Sequence, residues 1–138
     1  MAPLKTMEKF IEECKKVGAL SLMDTLNVHE PLGVLKKLPV KPDIIELHRA
    51  IDVEQVQNLE SEWGDIKEIK RVCENKILVA VAGGIRTNKV EKAINAGADI
   101  LVVGRAITVA KDVNGAARAF LQKMGVEEVD QFRIMTDF

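Results

Sequence analysis

Short apolar runs in this sequence stop at residues whose types could do chemistry: Asp24, His48 with Arg49, Gly83-Gly84, and Gly104-Arg105. Glycine lets a backbone approach an anion closely and take positive φ, so that several N–H groups point at one spot, which is how chains bind phosphate. Arg105 could add a forked, charge-assisted contact to the same anion. An imidazole, with its ordinary pKa of about 6.5, can take a proton and return it, which is what His48 could do to a bound substrate. Together these residues could hold a phosphorylated small molecule and move protons on it. Each also has a plainer use: Asp24 can cap the following turn, His48 can bond a backbone carbonyl, and Arg49 can pair with Glu46 or Asp52.

The elements that must position these residues follow from periodicity. Continuous apolar runs at Ala19 to Met23, Ile44 to Leu47, Ile77 to Ala82 and Ile100 to Val103 predict strands buried on both faces, as in a parallel sheet covered by helices. Stripes at helical spacing lie between them. A helix over 5–17 opens the chain, and Val34, Leu35 and Leu38 mark a short one beginning near Pro31. Val53, Val56 and Leu59, then Ile66, Ile69 and Val72, mark the next stretch. Thr87 is predicted to cap a helix carrying Val90, Ala93 and Ile94, ended by Gly97 in the left-handed conformation, and Asp112 to cap one running to Met124.

Strand starts fall about 23 to 33 residues apart, the length of one βα unit with its turns. The predicted fold class is therefore α/β, with four βα units equal to the C-terminal half of a (β/α)8 TIM barrel. The single domain divides into a leading helix (1–18), the four units (19–124) and a C-terminal tail (125–138). A closed barrel takes roughly 200 residues or more, so 138 residues cannot close one alone. Either the strands form an open sheet in a small doubly wound domain, or half-barrels pair. Bare strand edges favour pairing, as a homodimer or a complex with a complementary barrel half. Phe132, Ile134, Met135 and Phe138 make the tail too apolar to be free. Strand C-terminal ends share one face of such a sheet, so the residues above share one rim.

Composition narrows the function. Hydrophobic residues are 47%, charged residues 30% and the formal net charge is -1, which gives no electrostatic footprint for nucleic acid or an anionic membrane. Lys36, Lys37 and Lys41 read as a solvated helix end. Cys14 and Cys73 have no CxxC neighbours and fit structural thiols in a reducing cytoplasm. No apolar run reaches a membrane span, and the start MAPLKTMEKF lacks the order of a signal peptide, so the expected location is cytoplasmic.

MDTLNV (23–28), ELHRAID (46–52), VAVAGGIR (79–86) and ADILVVGRAIT (98–108) resemble the second half of the 3-hexulose-6-phosphate synthases of the orotidine monophosphate decarboxylase superfamily. The resemblance covers nearly the whole chain. Its flanks are most similar to the synthase domain of the archaeal bifunctional enzymes that carry a formaldehyde-activating domain in front. It implies a magnesium-assisted aldehyde lyase that joins or releases formaldehyde and ribulose 5-phosphate through an enediolate. By the same resemblance Gly83, Gly84, Gly104 and Arg105 hold the sugar phosphate (ribulose 5-phosphate or hexulose 6-phosphate). His48 handles protons, Asp24 is the other catalytic candidate, and Arg49 is secondary. Related keto-gulonate phosphate decarboxylases tend to carry an Arg where Ile51 stands, which favours the synthase. The family's metal-binding acids and its DxKxxD motif belong to the first half of the barrel, and no DxKxxD occurs here, so the implied Mg2+ finds its ligands absent from this chain. Two functional readings follow, an enzyme needing its metal-binding half and a non-catalytic phosphosugar-binding or assembly module. A small open doubly wound phosphate binder explains the glycines but not ELHRAID.

Overall fold

The four apolar runs each contribute a strand. The structure is a computed structural model and describes residues 2–48 and 63–126. The strands β1 (Leu22–Asp24), β2 (Ile44–His48), β3 (Leu78–Ala82) and β4 (Ile100–Val102) form one sheet in the order β1-β2-β3-β4, and every pairing is parallel. Six helices accompany them among the described residues: α1 (Leu4–Lys16), α2 (Pro31–Lys37), α3 (Asp65–Val72), α4 (Thr87–Ala96), α5 (Arg105–Thr108) and α6 (Val113–Lys123). The predicted stretch around Val53, Val56 and Leu59 and the apolar tail lie outside the described residues, as do Arg49 and Ile51.

Side chains alternate between the faces of a strand. Ile45, Val79 and Val81 point to one face and are completely buried with Leu35, Ile66, Ile69 and Val90 from the helices. Burial of such side chains contributes roughly 1.5–3 kcal/mol each. The other face differs from the sequence expectation of two-sided burial: Leu22, Leu78 and Val102 remain 44%, 45% and 43% exposed. Helices bury the first face, whereas on the second only the small Ala80 and Ala82, at the middle and end of β3, are buried among the described strand residues.

The first strand is also shorter and later than the run Ala19 to Met23 suggests. Residues 18 and 19 finish α1 instead, with the Gly18 N–H donating to Lys15 O and the Ala19 N–H to Cys14 O. Leu20 is then left 70% exposed. On α1 only Ile11 of the apolar stripe is buried, while Phe10 is 57% and Val17 78% exposed. A cavity of about 280 Å³ opens between α1 and β1, lined by Met7, Phe10, Ile11, Leu22 and Met23 among others.

Capping chemistry accounts for most helix ends. The Asp112 carboxylate accepts from the Gly115 N–H at 2.8 Å and starts α6 as expected. Gly97 ends α4 at φ 104°, and a Cβ there would meet Ile66 Cγ2 at 3.3 Å, so both backbone and packing call for glycine. Thr87 does not cap α4; it is the first helical residue, Arg86 holds the cap position, and no side-chain cap bond forms. The Lys41 ammonium donates to Leu35 O and Leu38 O. Of the lysine cluster, Lys41 thus caps the end of α2.

A carboxylate fastens β1 to β2 at the end of the sheet away from the glycine turns. Asp43 Oδ2 accepts from the Ser21 N–H at 2.8 Å and from the Ser21 hydroxyl at 2.7 Å, while Ser21 Oγ accepts from the Asp43 N–H at 3.1 Å. These donors hold the Asp43 carboxyl below its usual range. The unfolded chain therefore takes up this proton first, so the stabilisation is complete above the ordinary Asp range of about 4 and is lost as pH falls through the depressed one. Asp43→Ala is expected to lower stability by about 2 kcal/mol at pH 7 in urea unfolding. Its deficit relative to the wild type should shrink as the pH is taken below about 4.

Candidate active site

Register fixes the rim. Asp24 pairs with Glu46, His48 with Ala82, and Ala82 with Val102, so Asp24, His48, Gly83-Gly84 and Gly104-Arg105 stand at the same edge of the sheet. Neighbouring strands are about 4.8 Å apart, which puts His48 one strand from Asp24 and one from the first glycine turn. The cavity under α1 involves the N-terminal part of β1 and lies away from this rim.

His48 Nδ1 lies 3.2 Å from both Asp24 carboxylate oxygens. An ionised carboxylate only accepts, so Nδ1 carries the proton and donates, which leaves Nε2 of the neutral ring as the acceptor. The side chains are 31% and 46% exposed, open enough to meet a ligand. Asp24 Oδ1 also accepts from the Leu26 N–H at 2.8 Å. Its capping role and its pairing with His48 are thus both real, and the imidazole bonds a carboxylate rather than a backbone carbonyl.

Two residues of this site escape sequence reasoning. Thr25, 3% exposed, donates its hydroxyl to Glu46 O at 2.8 Å, and its Oγ1 accepts from the His48 N–H at 3.3 Å. Its own N–H also donates to Glu46 O at 3.0 Å. A polar side chain directly after the Asp of a strand end was the available signal. Glu46 is the second: it stands beside Asp24 on the face shared with His48, so Asp24 is not the only carboxylate there. Burial raises its carboxyl above the usual range, Asp24 adds to the rise, and His48 opposes it.

At the other end of the rim Gly83 and Gly84 have φ of 90° and 57°. Two consecutive residues in the left-handed region suit glycine and turn successive N–H groups into one concavity. Gly104 does not share this reason. Its φ is -96°, and a Cβ there would meet nothing within 4 Å, so the chain itself leaves open space above it. The short α5 begins at Arg105, an element the sequence reading passes over. First-turn N–H groups of a helix have no intrahelical acceptor. The Arg105 side chain is exposed and makes no hydrogen bond or ion pair among the described residues.

A divalent magnesium ion takes near-octahedral oxygen ligands. Among the described residues no three His, Cys, Asp or Glu side chains converge to hold an ion, and Asp24 already accepts from Leu26 and His48. The described strand ends do not fit a magnesium site by themselves. Among the described residues, too, no helix is long and apolar enough to cross a membrane.

Glu46 and Thr25 make opposite predictions for stability. A carboxyl raised in the folded state favours folding below the ordinary Glu range of about 4.3, and this is lost as pH rises through the raised value. Glu46→Gln is therefore expected to be neutral or stabilising at pH 7. Thr25→Val, which strips two strand-end hydrogen bonds from a buried site, should cost about 1–3 kcal/mol in the same unfolding measurement.

The profile of the orotidine 5'-phosphate decarboxylase / HUMPS family matches residues 1–120. The bifunctional enzyme Fae/Hps of Methanocella arvoryzae is 58% identical over 139 residues, covering 100% of this chain and 35% of that protein. That of Methanospirillum hungatei is 55% identical over 138 residues, covering 100% and 34%. This chain thus spans about a third of the length of the curated relatives it matches. The crystal structure of 3-hexulose-6-phosphate synthase from Salmonella typhimurium superposes with a TM-score of 0.74 at 26% identity, covering 92% of this chain and 60% of that one. The resemblance carried by the four quoted segments and the α/β fold class are both borne out.

Proposed function

This chain belongs to the orotidine 5'-phosphate decarboxylase / HUMPS family, and from that premise we propose that it is the phosphate-holding half of a 3-hexulose-6-phosphate synthase-type aldehyde lyase. The reaction joins or releases formaldehyde and ribulose 5-phosphate. The observation that carries this reading is the Asp24–His48 pair standing one strand from the glycine turns, in a chain that matches Fae/Hps proteins over its full length.

In this reading Gly83, Gly84, Gly104 and Arg105 anchor the phosphate by backbone N–H groups and one guanidinium. The sugar chain then extends across the rim toward β2. His48 Nε2 removes a proton at the carbon that becomes enediolate and returns it on the reverse path, while Asp24 holds Nδ1–H and stabilises the imidazolium that forms. The resemblance assigns Arg49 a secondary role. Stabilisation of the enediolate oxygens falls to groups beyond the described residues, since these do not gather a metal site. A second reading is a phosphosugar-binding or assembly module without turnover.

The exposed Leu22, Leu78 and Val102 and the β1 and β4 edges support association, either as a homodimer or with a complementary barrel half. The unit that associates is the single half-barrel domain of residues 1–138. Light scattering at micromolar concentration should show a species larger than the monomer, and a well-folded monomer would remove this part of the reading.

Ribulose 5-phosphate is expected to raise the melting temperature of the wild type. Arg105→Ala should weaken its binding by about 1.5–3 kcal/mol. Gly104→Ala, which adds a Cβ to the open space above the turn, should weaken binding by crowding the anion. Equal protection of all three proteins places the phosphate elsewhere.

The isolated chain should show little formaldehyde release with magnesium. Adding a polypeptide that carries the other barrel half should restore release, and His48→Ala should abolish it. Turnover by the isolated chain would contradict the division of the site, and inactivity of the reconstituted barrel would leave the binding module.

A further inference from the structure

Glu46 has no assigned part in the chemistry proposed above, yet the sheet aims it at the residues that do. In β2 it is two residues before His48 and so shares its face, and the β1–β2 register sets it directly beside Asp24. On its other side β3 presents Ala80, completely buried and too small to separate the carboxylate from its neighbours, with Leu78 and Ala82 before and after. The titratable groups that face Glu46 from the packed strands are therefore Asp24 on β1 and His48 on its own strand. Its side chain makes no hydrogen bond or ion pair among the described residues, whereas its backbone carbonyl is the acceptor that ties Thr25 to β2.

We propose that Glu46 is a positioning residue acting through the Asp24–His48 pair, a second carboxylate whose charge helps decide whether the His48 ring is offered as base or as acid. The inference rests on the functional reading above for its purpose, but its physical content concerns three side chains of this chain alone. Two carboxylates on one side of an imidazole favour its cationic form, and removing either makes that form less favourable. The interaction is mutual, so His48 and Asp24 must in turn move the proton of Glu46 in opposite directions. Burial and the Asp24 charge lift the Glu46 carboxyl, and His48 lowers it, which is the pattern such a group requires. Asp24 supplies direction through its hydrogen bond; Glu46 supplies only field.

The test uses the 138-residue chain and four measurements. Carbon NMR of the Glu46 carboxyl should show its titration moving to lower pH in Asp24→Asn and to higher pH in His48→Gln. The pH at which the His48 ring nitrogen signals change should fall by about 0.5 to 1 pH unit in Glu46→Gln and return most of the way in Glu46→Asp. Meanwhile the Nδ1–H tautomer should persist in Glu46→Gln and be lost in Asp24→Asn. An unchanged His48 profile in a folded Glu46→Gln chain overturns the proposal. If that variant fails to fold, a wild-type Glu46 titration insensitive to Asp24→Asn and His48→Gln overturns it equally. Ribulose 5-phosphate protection is measured on the same samples: loss of coupling with protection intact refutes the role of Glu46 alone. Coupling without protection refutes the phosphosugar reading and leaves the electrostatic triad standing.

Discussion

Ile45, Val79 and Val81 can be dry only if helices lie across them, and parallel neighbours in a sheet can be joined only by crossovers long enough to hold such helices. The two requirements meet in the same connecting segments. Helical crossovers on one face send every strand in the same direction, and a common direction delivers every strand's C-terminal end to one edge. Asp24, His48 and the two glycine turns, separated by up to 80 residues of sequence, share a rim for that reason. No local motif brings them together.

A strand of three residues has few ladder bonds with which to hold its place, and β1 is held instead by polar clamps at both ends. Ser21 and Asp43 exchange three hydrogen bonds at one end, and Thr25 reaches the Glu46 carbonyl at the other. Between the clamps Asp24 is divided between its own turn and His48. The side chain that orients the imidazole is thus part of what aligns the first two strands, so the chemistry at the rim and the integrity of the β1–β2 pairing depend on the same few oxygens.

Features that depend on one residue's backbone or on strict periodicity were legible in the sequence. Gly97 had to end α4, Asp112 had to start α6, and the strand centres at Ile45 and Val79 to Val81 follow from apolar runs. The start of β1 was not legible, because Ala19 and Leu20 are as apolar as the strand residues, but Ala19 is drawn into the termination of α1 and Leu20 is left exposed. Thr87 carries a good capping side chain, yet the chain turns one residue earlier. Glu46 and Thr25 were hidden for a different reason: their importance comes from register, which pairs residues 21 to 22 positions apart, and no single-strand pattern reports it. The glycines were recognised, though Gly104, unlike Gly83 and Gly84, has no positive φ and faces open space.

Strand order in space repeats strand order in sequence. Each strand of the sheet therefore docks on the one made just before it, and the contacts that build the sheet close short loops. A chain of this kind can acquire structure in the direction of its synthesis, one βα unit at a time, with each helix covering its strand as it emerges. Only closure of a barrel joins strands whose residues are remote along the polypeptide, and its entropic cost makes it the slow event. The sheet described here contains none of that remote pairing, since each of its ladders joins strands adjacent in sequence.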